Sequence, residues 1–464
     1  MVIFKIIIAY LLPWIFGYLL INSIDKNKVL NQGLKLFAAF PMGMGVFTLE
    51  AFTAGILGAR LGLGTFLIII LADIGVLELF IYWQTGKWFW PAKGETGKNG
   101  DKGKWTRGVI LFLLLIKVIA SVWQVTHIPT YEFDAWNNWN LRAKVIYVEQ
   151  EIPLDKSDPF YLGGGIKSYP LNDGLWKVWV ANMIGKWDEN LAGLGSVVFY
   201  VVLLGIFYFS LPRNFSRVFK FLCTYLLASL PFLYFHSWIP YADLEFAVYL
   251  FLTVVAFSKF LSPHLSSPTG GEESKEGASV WLPLSAIALA LTIWTKNEGF
   301  VVVLPMLLPL TTVLVITKTV ALRNYLKYWL IALVIVSPWL FFRFINELEF
   351  LSGDSGSFNF VYNSQFVNEA WHSIFLRSHF NFLWILVFSL IIFKFKKIWQ
   401  DMPMRFSMIT LASLFLFYNS IIIFTDKALD LSALVRVNLH IAPIGLFLMV
   451  LILAEIIPFG KAGE

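Results

Sequence analysis

The chain has 464 residues, of which 58% are hydrophobic and 14% are charged, and its mean hydropathy is +0.70. Soluble globular proteins are only ~45–50% apolar, so this composition excludes that class and indicates an integral membrane protein. The net charge of +6 does not indicate nucleic-acid binding, because the basic residues cluster in short connections between apolar segments, as positive-inside topology requires.

Transmembrane helices are predicted along the whole chain. Apolar stretches of ~20 residues recur, and each is long enough to cross a hydrocarbon core ~30 Å thick. A strand barrel is not expected, because its strands would alternate apolar and polar residues. The sequence predicts an all-α polytopic membrane protein with about thirteen spans, which begin near Ile3, Leu34, Leu61, Gly108, Asn190, Val218, Ala242, Val280, Phe300, Tyr328, Ser378, Phe406 and Leu439.

The predicted orientation follows from the basic connections. The one after the third span is expected in the cytoplasm, because it carries Lys87, Lys93, Lys98, Lys102, Lys104 and Arg107. Alternation from there places the N-terminus and the long loop 127–189 outside, although Lys5, ahead of the first span, favours a cytoplasmic N-terminus. Residues 1–107 are interpreted as an N-terminal three-helix segment, and residues 108–464 as a second membrane domain that includes the loop.

Two features of loop 127–189 predict local structure. Gly163, Gly164 and Gly165 suggest a flexible hinge, because three consecutive glycines without a following Lys-Ser/Thr do not form a phosphate-binding loop. The apolar stretch from Leu175 to Val180 suggests a helix that lies in the membrane interface rather than crossing the bilayer.

Charged and aromatic residues from distant parts of the chain fall at the external ends of predicted helices. Charges at this boundary are costly unless they are paired, hydrated or used, so their convergence predicts a functional site. The members of this predicted site are Asp134, Trp136, Trp139, Asp243, Glu245, Lys296, Glu298, Arg436 and His440.

Asp134 follows the fourth span. A carboxylate partly buried among Phe133, Trp136 and Trp139 is suited to act as a general base. The alternative is a purely structural role, as a helix cap or an interfacial anchor. Trp136 and Trp139 are expected either to stack on a sugar ring or to belong to the aromatic belt at the membrane surface.

The remaining site residues also have two interpretations each. Asp243 and Glu245 either complement the dipole of the helix that they open or, as substrate-binding residues, orient a hydroxyl or hold a divalent cation. Lys296 either pairs with Glu298 or contacts an anionic phosphate. Arg436, one helical turn before His440, is expected to complete that phosphate site or to pair with Asp426 or Asp430.

Metal binding has little support in the sequence. Cys223 is the only cysteine, so a disulfide within the chain and a cysteine-based zinc site are both excluded. There is no His-Glu-x-x-His motif. No cofactor is expected with certainty, and a divalent cation, if one binds, would bind Asp243 and Glu245.

From Gly108 to the C-terminus, the chain resembles the GT-C superfamily of membrane glycosyltransferases, of the type that includes protein O-mannosyltransferases and aminoarabinose transferases. The resemblance lies in the order and shared face of short motifs. These are Phe133-Asp134-Ala135-Trp136-Asn137-Asn138-Trp139 with Arg142 and Lys144, then Tyr241-Ala242-Asp243, then Thr295-Lys296-Asn297-Glu298-Gly299. The chain departs from the usual pattern by placing three spans before the helix that leads to Asp134.

The resemblance implies a GT-C-like helical bundle in the cell membrane, with its active site on the extracytoplasmic face. The donor would be a sugar on a polyprenyl phosphate, and the acceptor an external glycan, lipid or protein. Asp134 would act as the base in a direct displacement at the anomeric carbon. Lys296 and Arg436 would contact the donor phosphate, and Asp243 would be the second acidic position.

An ion-coupled transporter or a lipid-linked glycan flippase is the alternative. Its coupling residues would be Glu50, Asp73 and Glu78, which lie within the second and third predicted spans, because acids inside a membrane mark ion paths. A transporter of this kind predicts paired repeats and a site near the bilayer midplane, and the sequence contains no visible repeated halves.

Overall fold

The structure, a computed structural model, describes residues 2–86, 88, 103–262, 272–349, 361–362, 364–377, 379–424 and 431–456. Within these ranges the backbone forms helices joined by turns, and no strand occurs. In chain order the helices are α1 (Val2–Ile24), α2 (Gln32–Ile56), α3 (Leu63–Thr85), α4 (Lys104–His127), α5 (Leu141–Glu149), α6 (Asn172–Ile184), α7 (Glu189–Ser210), α8 (Arg217–Ala228), α9 (Pro231–Phe235), α10 (Ala242–Phe260), α11 (Glu272–Thr295), α12 (Leu304–Ile316), α13 (Leu322–Ile345), α14 (Ser364–Trp371), α15 (Leu383–Gln400), α16 (Met402–Ile423) and α17 (Leu431–Ile456). Short π-helical turns precede α5 and α12 and follow α14.

The prediction of an all-α polytopic membrane protein is confirmed. Among the described residues, nine helices are long and apolar enough to cross a membrane. Twelve of the thirteen predicted starts lie in a helix or just before one, and the remaining start, Ser378, lies outside the described residues. One of these helices, α8, is only 12 residues long. It ends just before Pro231, because the residue that precedes a proline is disfavoured in helical conformation.

The first two helices belong to the packed bundle. A Cβ atom on Gly17 would lie 1.9 Å from the carbonyl oxygen of Ala39, and one on Gly43 would lie 1.9 Å from that of Pro13. Such small residues let helix backbones approach closely in a membrane. Helix α2 also packs against α6, α7 and α11, which follow residue 107. The division into a segment 1–107 and a domain 108–464 therefore stays a prediction from the sequence.

One end of the bundle holds both the N-terminus and the long loop. The Lys5 ammonium donates a hydrogen bond to the carbonyl oxygen of Ile184, at 3.1 Å. The backbone N–H of Leu61, between α2 and α3, donates to the carbonyl oxygen of Gln150, at 2.6 Å. We call this end of the helical bundle the loop end. The lysines at positions 93, 98 and 102, expected in the cytoplasm, lie outside the described residues.

Helix α6 begins inside the bundle and runs outward to the loop end. At its start, Asn172 receives a 2.5 Å hydrogen bond from Thr48, eight residues before the end of α2 and therefore ~12 Å deep. At its end, Ile184 contacts Lys5. All residues of α6 are buried, so the expected interfacial helix is enclosed by protein, mainly α1, α2, α5 and α7. The irregular chain before it is tolerated at this depth because protein surrounds it.

The three glycines form a packed turn rather than the expected hinge. Gly163, Gly164 and Gly165 have φ values of 87°, 83° and 60°, which favour glycine because it has no Cβ. A Cβ on Gly163 would lie 2.8 Å from the carbonyl oxygen of Arg142. The turn therefore wraps around Arg142, and a larger side chain has no room there.

Candidate active site

Four of the predicted site residues form one buried cluster at the loop end. Asp243 lies in the first turn of α10, and its Oδ1 accepts a hydrogen bond from Lys296 Nζ at 2.9 Å. The same oxygen lies 2.9 Å from His440 Nε2, on α17. Lys296 also pairs with Glu298, at 3.1 Å. We call Asp243, Lys296, Glu298 and His440 the Asp243 cluster.

The charge of Lys296 is fixed by its neighbours. Lys296 lies in the turn between α11 and α12, and its side chain is 2% exposed. Burial alone would lower the pKa of the ammonium, but the carboxylates of Asp243 and Glu298 outweigh it and raise that pKa above its usual value. Lys296 therefore keeps its proton, and Asp243 remains the carboxylate that it neutralises.

Asp134 meets Arg436 beside this cluster. Asp134 Oδ2 lies 2.6 Å from Arg436 Nη1, across 302 positions of sequence. The Arg436 guanidinium also lies 5.3 Å from the centre of the Tyr241 ring and within electrostatic reach of Asp243. The Asp134 side chain is 37% exposed and that of Arg436 17% exposed. Arg436 thus joins an accessible carboxylate to the buried cluster. Its alternative partners, Asp426 and Asp430, lie outside the described residues.

The two tryptophans after Asp134 lie in different surroundings. Trp139 is buried and packs against Tyr169, with ring centres 5.2 Å apart. Trp136 is 45% exposed and meets Phe133 edge to face at 5.4 Å. Trp139 therefore builds the wall of the site, whereas Trp136 presents an open ring that a ligand can reach.

Glu245 belongs to a second polar group. It accepts hydrogen bonds from Trp176 Nε1 and from Asn172 Nδ2, the latter at 3.3 Å. Residues two apart on a helix do not face each other, so Glu245 points away from the partners of Asp243. The two carboxylates do not converge on one cation. In the described ranges, no group of three His, Cys, Asp or Glu residues could hold a metal.

Several residues that shape the site were not among the predicted site residues. Arg142, which the sequence analysis named only as part of the first motif, is buried and donates to the carbonyl oxygens of Leu162, Tyr169 and Pro170, at 3.2, 2.9 and 3.3 Å. These bonds fix Tyr169, whose ring lies 5.8 Å from Lys296 Nζ. Three consecutive glycines were the available signal for this turn. Their need for positive φ also explains why the turn closes around Arg142.

Arg343 and His236 were missed as well. Arg343, at the end of α13, donates to Asn297 Oδ1 at 2.7 Å and to the Ser168 carbonyl oxygen at 3.3 Å, so it braces the turn that carries Lys296. His236 is fully buried beside Tyr241, with ring centres 5.5 Å apart. Burial lowers the pKa of His236 to about 4. Its position in a turn without basic residues was the only signal in the sequence.

The acidic residues that the transporter hypothesis would use for ion coupling lie away from the Asp243 cluster. Glu50 on α2 and Asp73 on α3 lie within electrostatic reach of each other. Neither residue contacts the Asp243 cluster by any hydrogen bond or ion pair recorded among the described residues.

No family model and no curated protein matches the sequence. The fold is nevertheless similar to that of ArnT from Cupriavidus metallidurans, in crystal structures of the apo state (TM-score 0.53) and of the complex with undecaprenyl phosphate (TM-score 0.50). Sequence identity is 15% in both comparisons, which cover 77% of this chain and 61% of ArnT. The chain thus spans about three fifths of that protein.

These comparisons define the class of fold. The chain is a polytopic membrane protein whose helical bundle is similar in fold to that of ArnT. ArnT itself is an aminoarabinose transferase of the GT-C family. At this level of identity the likeness establishes the fold, and the chemistry of this chain must be argued from its own residues.

Proposed function

We propose that the chain is an integral membrane glycosyltransferase, which moves a sugar from a polyprenyl-phosphate donor to an acceptor at the loop end. The observation that carries this proposal is the meeting of two charge pairs, Asp134 with Arg436 and Asp243 with Lys296, in a fold similar to ArnT. One ArnT structure is bound to undecaprenyl phosphate, which supports a polyprenyl-linked substrate here.

The proposed reaction is a displacement at the anomeric carbon. The acceptor hydroxyl oxygen forms a bond to that carbon while the bond from the carbon to the donor phosphate oxygen breaks. The electron pair of the broken bond leaves with the polyprenyl phosphate, and the hydroxyl proton passes to Asp134. Asp134 suits this task because its carboxylate is the most accessible acid of the site and lies 2.6 Å from Arg436 Nη1.

Arg436 is the cation best suited to contact the donor phosphate. Its Nε is buried without a hydrogen-bond partner in the part of the chain that the structure describes, and a guanidinium binds phosphate through two N–H groups. Lys296 is already paired with two carboxylates. We therefore propose that Lys296 contributes charge to the site and holds Asp243 in place, while Arg436 makes the direct contact.

The remaining roles follow from exposure. Trp136 would stack on a sugar ring of the incoming substrate, because its ring is 45% exposed and it follows Asp134 by two positions in the sequence. Asp243 and His440 would line the sugar side of the site, and Glu298 would balance Lys296. Glu245 would act from the second polar group, by holding α6 against α10. The loop end would face the extracytoplasmic side of the cell membrane, where the acceptor is a glycan, lipid or protein.

The test is transfer of radiolabelled sugar from polyprenyl-phosphate donors to membrane extracts. Asp134→Asn should lower transfer ~100-fold or more, because a positioned base contributes ~10²–10⁴-fold. Lys296→Ala should also lower transfer, because it leaves the buried Asp243 carboxylate without its ammonium partner. Asp188→Asn is the matched control: Asp188 caps α7 at the same end of the bundle, and asparagine caps helices equally well. Full transfer by both site variants, in folded protein, would refute the proposal.

A further inference from the structure

Buried polar atoms without partners collect around Asp243. Within the described part of the chain, no hydrogen bond reaches His236 Nε2, Asp243 Oδ2, Glu298 Oε2, His440 Nδ1, Arg436 Nε or the hydroxyl of Tyr418, whose ring centre lies 5.9 Å from that of His440. The side chains of His236, Asp243 and His440 are completely buried. Buried polar groups are nearly always satisfied in native proteins, so such a group of unsatisfied atoms indicates that a polar ligand completes them.

The hydrogen-bonding role of each histidine nitrogen can be assigned from its partner. His236 Nδ1 lies 2.9 Å from the carbonyl oxygen of Phe232, and a carbonyl only accepts, so Nδ1 carries the proton. His440 Nε2 lies 2.9 Å from the ionised Asp243 carboxylate, so Nε2 carries the proton there. The free nitrogens, His236 Nε2 and His440 Nδ1, are therefore lone-pair acceptors.

The unsatisfied atoms thus consist of four acceptors, one donor and one hydroxyl, which can do both. Asp243 Oδ2 and Glu298 Oε2 are carboxylate oxygens, which accept, Arg436 Nε donates, and the Tyr418 hydroxyl can donate or accept. A phosphate group alone cannot satisfy them, because it offers oxygens that accept. A group rich in O–H donors does satisfy them, and a sugar ring is such a group.

His236 lies close enough to the other groups to act with them. Its ring centre is 5.5 Å from that of Tyr241, whose ring lies 5.3 Å from the guanidinium of Arg436. The imidazole is also within electrostatic reach of Asp243 and His440. Its orientation is fixed by the bond to Phe232, so Nε2 has one direction in which to accept.

We infer that His236 binds the donor sugar directly, with Nε2 accepting a hydrogen bond from a ring hydroxyl, next to Asp243 Oδ2 and His440 Nδ1. This inference rests on the proposed glycosyltransferase function. It assigns the sugar to the Asp243 cluster and the phosphate to Arg436. The site thereby discriminates a sugar-bearing lipid phosphate from the sugar-free lipid that the reaction releases.

Two substitutions of His236 separate its two nitrogens. The variant His236→Asn keeps an N–H near the position of Nδ1, which preserves the bond to Phe232, but provides no acceptor at Nε2. The variant His236→Gln instead offers an amide oxygen near the position of Nε2 and loses the bond to Phe232. His379→Gln is the control, because His379 contacts the same Phe232 ring at 5.5 Å and is not part of the cluster.

The experiment measures binding of two probes to the purified full chain in nanodiscs: undecaprenyl phosphate, and a polyprenyl phosphate that carries a hexose. Wild type should bind the hexose-bearing lipid more tightly. His236→Asn should weaken that lipid roughly 3- to 10-fold, as expected for one lost hydrogen bond, and leave undecaprenyl phosphate unchanged. His236→Gln should recover most of the preference, and His379→Gln should match wild type.

The outcomes distinguish this inference from the proposed function. If wild type binds both lipids and His236→Asn, folded by thermal unfolding, keeps the full preference for the hexose-bearing lipid, the role of His236 is wrong and the proposed function stands. An equal loss for both lipids also overturns it, since it would indicate a structural role. If wild type binds neither lipid, the proposed function itself fails.

Discussion

Asp134→Asn is expected to separate chemistry from donor binding. The amide keeps the size of the side chain and removes both the charge and the proton-accepting carboxylate. Transfer should fall by ~10²–10⁴-fold, the contribution of a positioned base. Binding of undecaprenyl phosphate should instead become slightly tighter, because Arg436 loses the carboxylate that lies 2.6 Å from it and that competes with the phosphate.

The size of the binding effect follows from exposure. With side chains 37% and 17% exposed, the pair is screened by solvent, and such pairs contribute ~0.2–1 kcal/mol. The phosphate should therefore bind up to about 5-fold more tightly. Transfer is measured with labelled donor, and binding with labelled undecaprenyl phosphate in the same nanodiscs. Transfer above one tenth of wild type, or binding weakened several-fold, would refute this role, while Asp188→Asn should change neither quantity.

Three further outcomes are expected. Gly43→Val should destabilise the protein by ~1–3 kcal/mol or more, because the new Cβ would meet the Pro13 backbone. Gly75→Val is the control and should not destabilise the protein, because open space surrounds Gly75. Equal thermal unfolding midpoints for the two variants would contradict the close contact between α1 and α2. Arg142→Lys should lower the free energy of unfolding by ~1.5–3 kcal/mol for each charged hydrogen bond that is lost. It should also lower the rate of sugar transfer, because Tyr169 is no longer held in place. A variant as stable as wild type would show that the turn does not need Arg142. Chelation with EDTA should leave transfer unchanged, because Asp243 and Glu245 hold separate partners, and a loss restored by Mg²⁺ or Mn²⁺ would reveal a missed cation site.

The sequence predicted the helices and the convergence of charges, for a physical reason. Apolar length reports a membrane span directly, and charged residues at helix ends are costly enough to mark a site. That reasoning brought Asp134, Asp243, Lys296 and Arg436 to one end of the bundle. It did not predict that Asp134 binds Arg436, because pairing depends on which helices are neighbours, and their separation of 302 positions leaves no local signal.

Other features escaped prediction because they depend on packing. Helix α6 carries Asn172, Asp173 and Lys177, which resemble the polar face of an interfacial helix. Inside the bundle, Asp173 and Lys177 neutralise each other at 2.7 Å, so the helix is buried completely. The separation of Glu245 from Asp243 was available from helical geometry, since residues two apart face different directions. His236 had no motif, and only its unsatisfied Nε2 reveals it.

We propose that this chain transfers sugar at the site formed by Asp134, Arg436 and the Asp243 cluster. The most direct measurement reconstitutes the purified chain in liposomes with a labelled sugar on polyprenyl phosphate and a membrane-extract acceptor, and follows label in the acceptor during a single turnover. Label should appear with wild type and Asp188→Asn and be at least ~100-fold slower with Asp134→Asn. No transfer by wild type from any hexose or pentose donor, or equal rates with Asp134→Asn, would contradict the claim.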